Sequence, residues 1–295
     1  MKFTTRVLDF FRNLIRIAQL DKVLRAFTRD RKYNSLIGIL VPRNYQYTRS
    51  TSKKIIYNGI HFEVDIHDYC GHFFYYRFED TSQTTLFSLC KSGDTVIDIG
   101  TNIGFSLLNM AKIIGSDGLV IGFEPDPANF IQLEKNISLN DFTNLKVNKK
   151  GLGDKPGKFK LENRIESNSG MKRIGSSVDY VEVEIDTLDN FISASNNSLP
   201  KIDLIKIDVE GFELNVLKGA LNTIRKYYPV LFIEVDDNNL RDESASAREL
   251  IHFIAENDYE MVNAENKMIV KEEDYFRNCH YDIICRKKLH TSSPT

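Results

Sequence analysis

The chain has 295 residues, 27% of them charged, with 39 Lys and Arg against 41 Asp and Glu, and four Cys. That length accommodates one large α/β domain plus an extension, and a net charge of −2 carries no overall signal for a polyanion such as nucleic acid. Cys70, Cys90, Cys279 and Cys285 show neither a Cys-x-x-Cys pair nor zinc-like spacing, which predicts reduced thiols in a cytoplasmic protein; no apolar run nears the ~20 residues of a membrane span, and the N-terminus lacks an apolar signal core with a cleavage site.

The charge is unevenly spread. Residues 1–60 carry 13 Lys and Arg against 3 Asp and Glu, a basic arm on an acidic remainder. Within it, Phe3, Val7, Phe10, Phe11, Leu14, Ile17 and Ala18 share one helical face, while Arg6, Asp9, Arg12, Asn13 and Arg16 share the other. This basic amphipathic helix is predicted either to dock as a cap or dimer contact or to lie, through residues 1–20, on the inner face of a membrane. Arg25 to Lys54 reads as an irregular basic connector, so residues 1–54 are expected to form an extension, 55–290 a main domain with its core from about residue 90, and 291–295 a tail.

Ile55 to Ile66, with Gly59 at a turn, predicts a hairpin. The next stretch, His67 to Phe78, concentrates two histidines and six aromatics; density of that kind usually fills a core, the alternative being a stacking surface for substrate. From Thr95 the pattern alternates: strand 95–99, helix 103–114, strand 119–123, helix 128–140, strand 144–149. It resumes with strand 202–207, helix 212–226, strand 230–235, helix 243–256, and late strands at 259–262, 267–270 and 281–285. Such alternation predicts an α/β fold, a doubly wound, mostly parallel Rossmann-like sheet with ligand bound at the carboxyl ends of its strands. Between strands 158–161 and 180–185, the polar loop from Glu162 to Asp179 is a candidate lid.

The chemistry is expected around Asp94 to Gly104. A short β-branched strand breaks at Gly100, and a helix begins just past Gly104, which brings backbone N–H groups to one point. The spacing is Gly-x-x-x-Gly, with Thr101 and Asn102 inside it, rather than the Gly-x-Gly-x-x-Gly suited to pyrophosphate. Asp98 just before the turn would repel phosphate but pair with an ammonium group. Glu124, followed by Pro125 at the tip of the next strand, is placed to accept both hydroxyls of a ribose. Amino acid plus ribose points to S-adenosylmethionine, with Asp154 a candidate acceptor from the adenine amino group.

Here the chain resembles the FkbM-type family of class I S-adenosylmethionine-dependent methyltransferases. The matching text is Val96-Ile-Asp-Ile-Gly-Thr-Asn-Ile-Gly104, Gly122-Phe-Glu-Pro-Asp-Pro127, Gly153-Asp154, Thr187-Leu-Asp189, Ile202-Asp-Leu-Ile-Lys-Ile-Asp-Val-Glu-Gly-Phe-Glu213 and Phe232-Ile-Glu234. Thr101 departs from it, where the family usually has alanine. The resemblance implies transfer of a methyl group to a hydroxyl, in a saccharide, glycolipid or polyketide-type acceptor, and so a role in glycan modification.

Such a reaction needs an aligned acceptor and a group to take its proton. If the strand stays extended, Lys206, Asp208 and Glu210 lie on one face. Asp208 is the first candidate base and Glu234, on the neighbouring strand, the second. No metal site is expected, because Lys206 would repel a cation held by Asp208, Glu210 and Glu234, although Mg²⁺ or Ca²⁺ there is the competing mechanism. A silent cofactor-binding module and a nicotinamide oxidoreductase remain as the other readings, the latter opposed by the glycine spacing and Asp98.

Overall fold

The computed structural model describes residues 3–17, 20–163, 172–174, 180–194 and 199–288. They gather into two compact units, the first running to Thr81 and the second starting at Ser82.

The first unit holds α1 (Phe3–Ile17), α2 (Asp21–Thr28), α3 (Leu36–Leu40), a 3-10 turn at Asn44–Gln46, the hairpin β1 (Ser52–Tyr57) and β2 (Ile60–Asp65), and α4 (Tyr69–Tyr76). Asn58 and Gly59 both take positive φ at the hairpin turn, as a tight two-residue loop requires. The expected boundary after residue 54 thus moves to Thr81, and the expected irregular connector is partly helical. The reason is the aromatic stretch, which folds as α4 and binds what precedes it. The Tyr75 hydroxyl donates to Asp21 (2.7 Å), the Thr28 hydroxyl to the Tyr76 carbonyl (2.6 Å), and His72 Nε2 to the Pro42 carbonyl (2.7 Å). Tyr33, His72, Tyr76 and Phe78 pack ring against ring, so the aromatics fill a core. Burial pushes the His72 imidazole down to about 4, which leaves it neutral.

Helix α1 docks the wrong way round for an ordinary amphipathic helix. Arg12 is buried and donates from Nε to the Ile39 carbonyl (2.9 Å) and from Nη1 to Asp9 (2.8 Å), and Arg16 donates to the Gln46 carbonyl. Val7, Phe10, Phe11 and Leu14 are exposed.

The second unit contains α5 (Thr81–Leu89), β3 (Thr95–Ile99), α6 (Phe105–Ile114), β4 (Leu119–Phe123), α7 (Pro127–Ser138), β5 (Leu145–Asn148), β6 (Gly151–Leu152), β7 (Gly157–Asn163), β8 (Lys172–Ile174) and β9 (Tyr180–Asp186). It continues with α8 (Leu188–Ser193), β10 (Leu204–Ile207), α9 (Glu213–Lys218), α10 (Leu221–Tyr227), β11 (Val230–Asp236), α11 (Asp237–Asp242), α12 (Ala247–Glu256), β12 (Tyr259–Asn263), β13 (Ile269–Val270) and β14 (His280–Lys287). The main sheet has the order β13-β12-β14-β11-β10-β3-β4-β5. The strands from β11 to β5 run parallel, and β14 is antiparallel to both neighbours. This is the doubly wound, mostly parallel α/β sheet that the alternation predicts. β6 to β9 form a separate four-stranded sheet. Most of the proposed lid, 164–171 and 175–179, lies outside the described residues, as does the 291–295 tail.

Two helices expected whole are broken. The 212–226 helix parts at Gly219, where a Cβ would stand 1.9 Å from the Gly153 carbonyl oxygen, so the chains meet too closely for a side chain. Residues 243–256 give only α12, because Ser246 caps it from outside by accepting from the Glu249 amide.

Strand alternation divides the core in two. Ile97, Ile99, Ile205, Ile207, Leu231 and Ile233 pack with α8 to α12, whereas Val96, Leu204 and Phe232 pack with α5 to α7. Asp98, Lys206 and Glu234 follow on that second face, one pleat further toward the carboxyl ends. The sheet's face is therefore apolar at its base and charged at its tip.

Candidate functional site

Parallel register sets the centre of this tip. Lys206 lies directly beside Asp98 on β3 and Phe232 on β11, and Glu234 lies beside Asp282 on β14. The buried Lys206 ammonium reaches three oxygens: the Gly100 carbonyl at 2.8 Å, Asp208 Oδ2 at 3.2 Å and Asp98 Oδ1 at 3.4 Å. Burial works against its charge, but Asp208 and Asp98 outweigh that and hold the ammonium above its usual range.

Asp98 is wholly enclosed. Its Oδ2 accepts from the Ser106 hydroxyl in the first turn of α6 (2.6 Å), and Lys206 covers Oδ1. Complete burial raises its carboxyl, partly countered by Lys206 and Ser106. The expectation that Asp98 opens onto a ligand is therefore not what the side chain does here; it fastens β3 to α6 and β10.

The turn after β3 is fixed from three sides. The Gly100 and Thr101 amides both donate to the Phe123 carbonyl (3.0 and 3.1 Å), and the Asp208 amide donates to the Ile99 carbonyl (3.1 Å). Gly100 has φ +83°, and a Cβ there would sit 1.9 Å from the Asp208 carbonyl oxygen, so only glycine fits. Gly104, also at positive φ, presses against Leu133. Thr101 is buried with an unpartnered Oγ1, and its methyl lies against Gly122.

Glu124 grips this turn from the tip of β4. Its Oε2 accepts from the Asn102 amide (2.8 Å) and its Oε1 from the Asp126 amide (3.0 Å). Asn102 holds the left-handed conformation that aims its amide this way. Pro125 lies half-buried next to Gly151, and Asp126 caps α7. The structure thus brings Gly100, Thr101, Asn102, Gly104, Asp98 and Glu124 together. Asp154 follows β6, which pairs with β9 and sets Gly151 against Pro125; it is exposed, beside Gly219.

The second departure is Glu210. The strand ends at Ile207, and Glu210 and Gly211 turn through positive φ, so Lys206, Asp208 and Glu210 do not share one face. Glu210 Oε2 instead accepts from Asn239 Nδ2 (2.8 Å). Among the described residues no group of three or more His, Cys, Asp or Glu side chains is placed to hold a metal ion. Asp208, whose side chain is 40% exposed, is the most open carboxylate attached to Lys206.

Glu234 differs in kind. Its Oε2 is enclosed without a partner, and burial, then Asp208, Glu210, Glu213 and Asp282, push its carboxyl well above the usual range. The shift favours the protonated form more than in an ordinary carboxyl, and Glu234 keeps its place beside Asp208 as the second candidate base.

Two partners escaped the sequence reading. Glu213, fully buried, accepts at Oε1 from both the Val209 and Gly211 amides (3.0 Å each) and so shapes the Asp208 to Gly211 loop; burial lifts its carboxyl to about 7. Its signal was its place in the Lys206 to Glu213 signature. Asp282, beside Glu234, had none, because it arrives on the antiparallel β14.

A family model described as the methyltransferase FkbM domain matches residues 98–261, more than half of the chain. "Methyltransferase 1" of Beauveria bassiana is 27% identical, over 42% of this chain and 57% of its own length. The "Hexuronic acid methyltransferase AglP" of Haloferax volcanii is 28% identical, over 46% of this chain and 53% of its own. The chain thus spans little more than half the length of these relatives. Among solved structures, a methyltransferase FkbM from Methylobacillus flagellatus overlays with a TM-score of 0.45 at 17% identity, covering 94% of this chain and 60% of that one. With the family model spanning the turn, Glu124 and the Lys206 signature, the chain belongs to the FkbM methyltransferase family.

Proposed function

We propose that this chain is an S-adenosylmethionine-dependent methyltransferase that methylates a hydroxyl of a saccharide-class acceptor. The observation that carries the reading is the convergence, at the carboxyl ends of three adjacent parallel strands, of the Gly100 to Gly104 turn, the Glu124 carboxylate and the Lys206-held Asp208.

The donor set fits the cofactor's chemistry. Glu124 supplies acceptor oxygens for a ribose diol, and the buried, unpartnered Thr101 Oγ1 lies in the turn beneath it. The Gly100 to Gly104 turn and the start of α6 would hold the amino-acid end, with Asp98 acting through Lys206 and Ser106 rather than by touching the ligand. When bound, the cofactor supplies an electrophilic methyl on a sulfonium. Asp208 then takes the proton from the acceptor hydroxyl as its oxygen becomes the nucleophile, while Lys206 anchors one of the Asp208 oxygens and sets the direction of the other. Glu234, on the neighbouring strand, is the second candidate to take this proton. The saccharide class is supported by the hexuronic acid named for the Haloferax volcanii relative, and a hydroxyl acceptor by the Asp208 carboxylate at the tip of β10.

The test is methyl transfer from radiolabelled cofactor into glycan fractions, with calorimetry for S-adenosylhomocysteine and NAD. Asp208→Asn keeps the size but cannot accept the proton, so kcat should fall by roughly 100-fold or more, with S-adenosylhomocysteine affinity nearly unchanged and EDTA without effect on the wild type. Activity lost to EDTA and restored by Mg²⁺ would replace the base with a metal. Binding of S-adenosylhomocysteine without turnover on any hydroxyl would leave a silent binding module, and tight NAD binding alone an oxidoreductase.

A further inference from the structure

Helices α1 and α2 share an inversion that no packing requirement of their own unit explains, and α3 beside them turns Leu36 and Leu40 outward. In α1 the buried side is Arg12, bonded to Asp9 and the Ile39 carbonyl. In α2 it is Asp21, which accepts from Lys53 (2.9 Å) and Tyr75, and Thr28, which donates to the Tyr76 carbonyl. The large apolar side chains point to solvent: Phe10 is 61% exposed, Phe27 58% and Leu36 86%, with Phe11, Leu14 and Val23 also exposed. Helices α1 and α2 both pack against α3, so these side chains belong to adjoining elements. Scattered exposed hydrophobics are ordinary, but an apolar face turned outward while the polar face is hydrogen-bonded inward marks an interaction surface.

We infer that this face seats the protein on an anionic lipid bilayer. Charge selects that occupant over a second copy of the chain. Residues 1–60 carry 13 Lys and Arg against 3 Asp and Glu, and Lys22, Arg29, Arg31 and Lys32 are exposed on or next to the same helices. Two copies pressed together would set these charges against each other, whereas phosphatidylserine headgroups neutralise them. The geometry is that of a helix lying in the interface. At 15 residues α1 is about 22 Å long, shorter than the roughly 30 Å hydrocarbon core, and no described helix is long and apolar enough to cross a membrane. Phenylalanine on one side and basic residues at the rim are the composition that inserts shallowly and holds electrostatically.

The experiment is flotation of the full chain with phosphatidylserine-containing vesicles and with phosphatidylcholine vesicles, at low and high salt. The protein should float with the anionic vesicles and release as salt rises. Phe10→Ser with Phe27→Ser should lower its partition by roughly tenfold or more at an unchanged melting temperature, since both side chains are solvent-exposed. Lys22→Gln with Lys32→Gln should weaken flotation and flatten its salt dependence. Absence of flotation on anionic vesicles overturns the inference. So does a salt-resistant dimer in light scattering that the two Phe substitutions dissociate, because a second copy would then cover the face.

Discussion

Lys206 directs its ammonium at three oxygens inside the protein, so its partners are not interchangeable. Removing Asp98 alone should leave a buried cation short of one countercharge, at a cost of about 3–5 kcal/mol. Removing both, as Asp98→Ala with Lys206→Met, should recover part of that loss although the double variant lacks more interactions. Urea titration of the two variants and the wild type checks this; a double variant no more stable than Asp98→Ala would mean that Asp98 acts chiefly elsewhere. The identities of these residues were readable in the sequence, Asp98 just before the glycine turn and Lys206 two residues before Asp208. Their burial was not. It depends on Ser106, which reaches Asp98 from α6, and on the register between β3 and β10, neither of which is a local property of the chain.

At the scale of elements, the loop from Asp208 to Gly211 departs most from a regular strand. Extended backbone would have aligned Glu210 with Lys206, but positive φ at Glu210 and Gly211 turns the chain, and a Cβ at Gly211 would meet the Asn239 carbonyl at 2.4 Å. The Val-Glu-Gly text was legible as special, whereas its direction depends on α11 and on Glu213. Glu213 gives this loop a pH signature. Its folded carboxyl titrates at about 7 against an ordinary 4.5, so the folded state holds the proton more tightly than the unfolded one. The stability it contributes is complete below about 4.5 and is lost as pH rises through about 7. Glu213→Gln keeps an oxygen for the Val209 and Gly211 amides but cannot ionise. Melts at pH 5 and pH 8 should therefore show a larger loss for the wild type than for the variant, with the slope common to both reflecting Glu234, shifted in the same direction. Equal losses would remove Glu213 from the account.

At the scale of the whole molecule, hydrophobic period and alternation made the second unit's sheet legible, whereas the break at Gly219 and the inverted α1 were hidden because each depends on contacts between distant segments. The charge pattern was legible in amount but not in orientation. Strand order carries a further consequence, for folding during synthesis. Because β14 lies between β11 and β12, the growing chain presents β11 with an unpaired edge, and the β12–β13 hairpin cannot join the sheet until residues 280–287 have emerged from the ribosome. A chain stopped before His280 should expose the apolar Leu231 to Val235 edge and collect in the insoluble fraction, while a stop after Lys288 should leave it soluble. A soluble, monomeric product from the earlier stop would show that the edge is protected in some other way. If it is not, the nascent chain spends the interval between β11 and β14 in its most aggregation-prone form, and slowing elongation over that interval should lower the yield of folded protein.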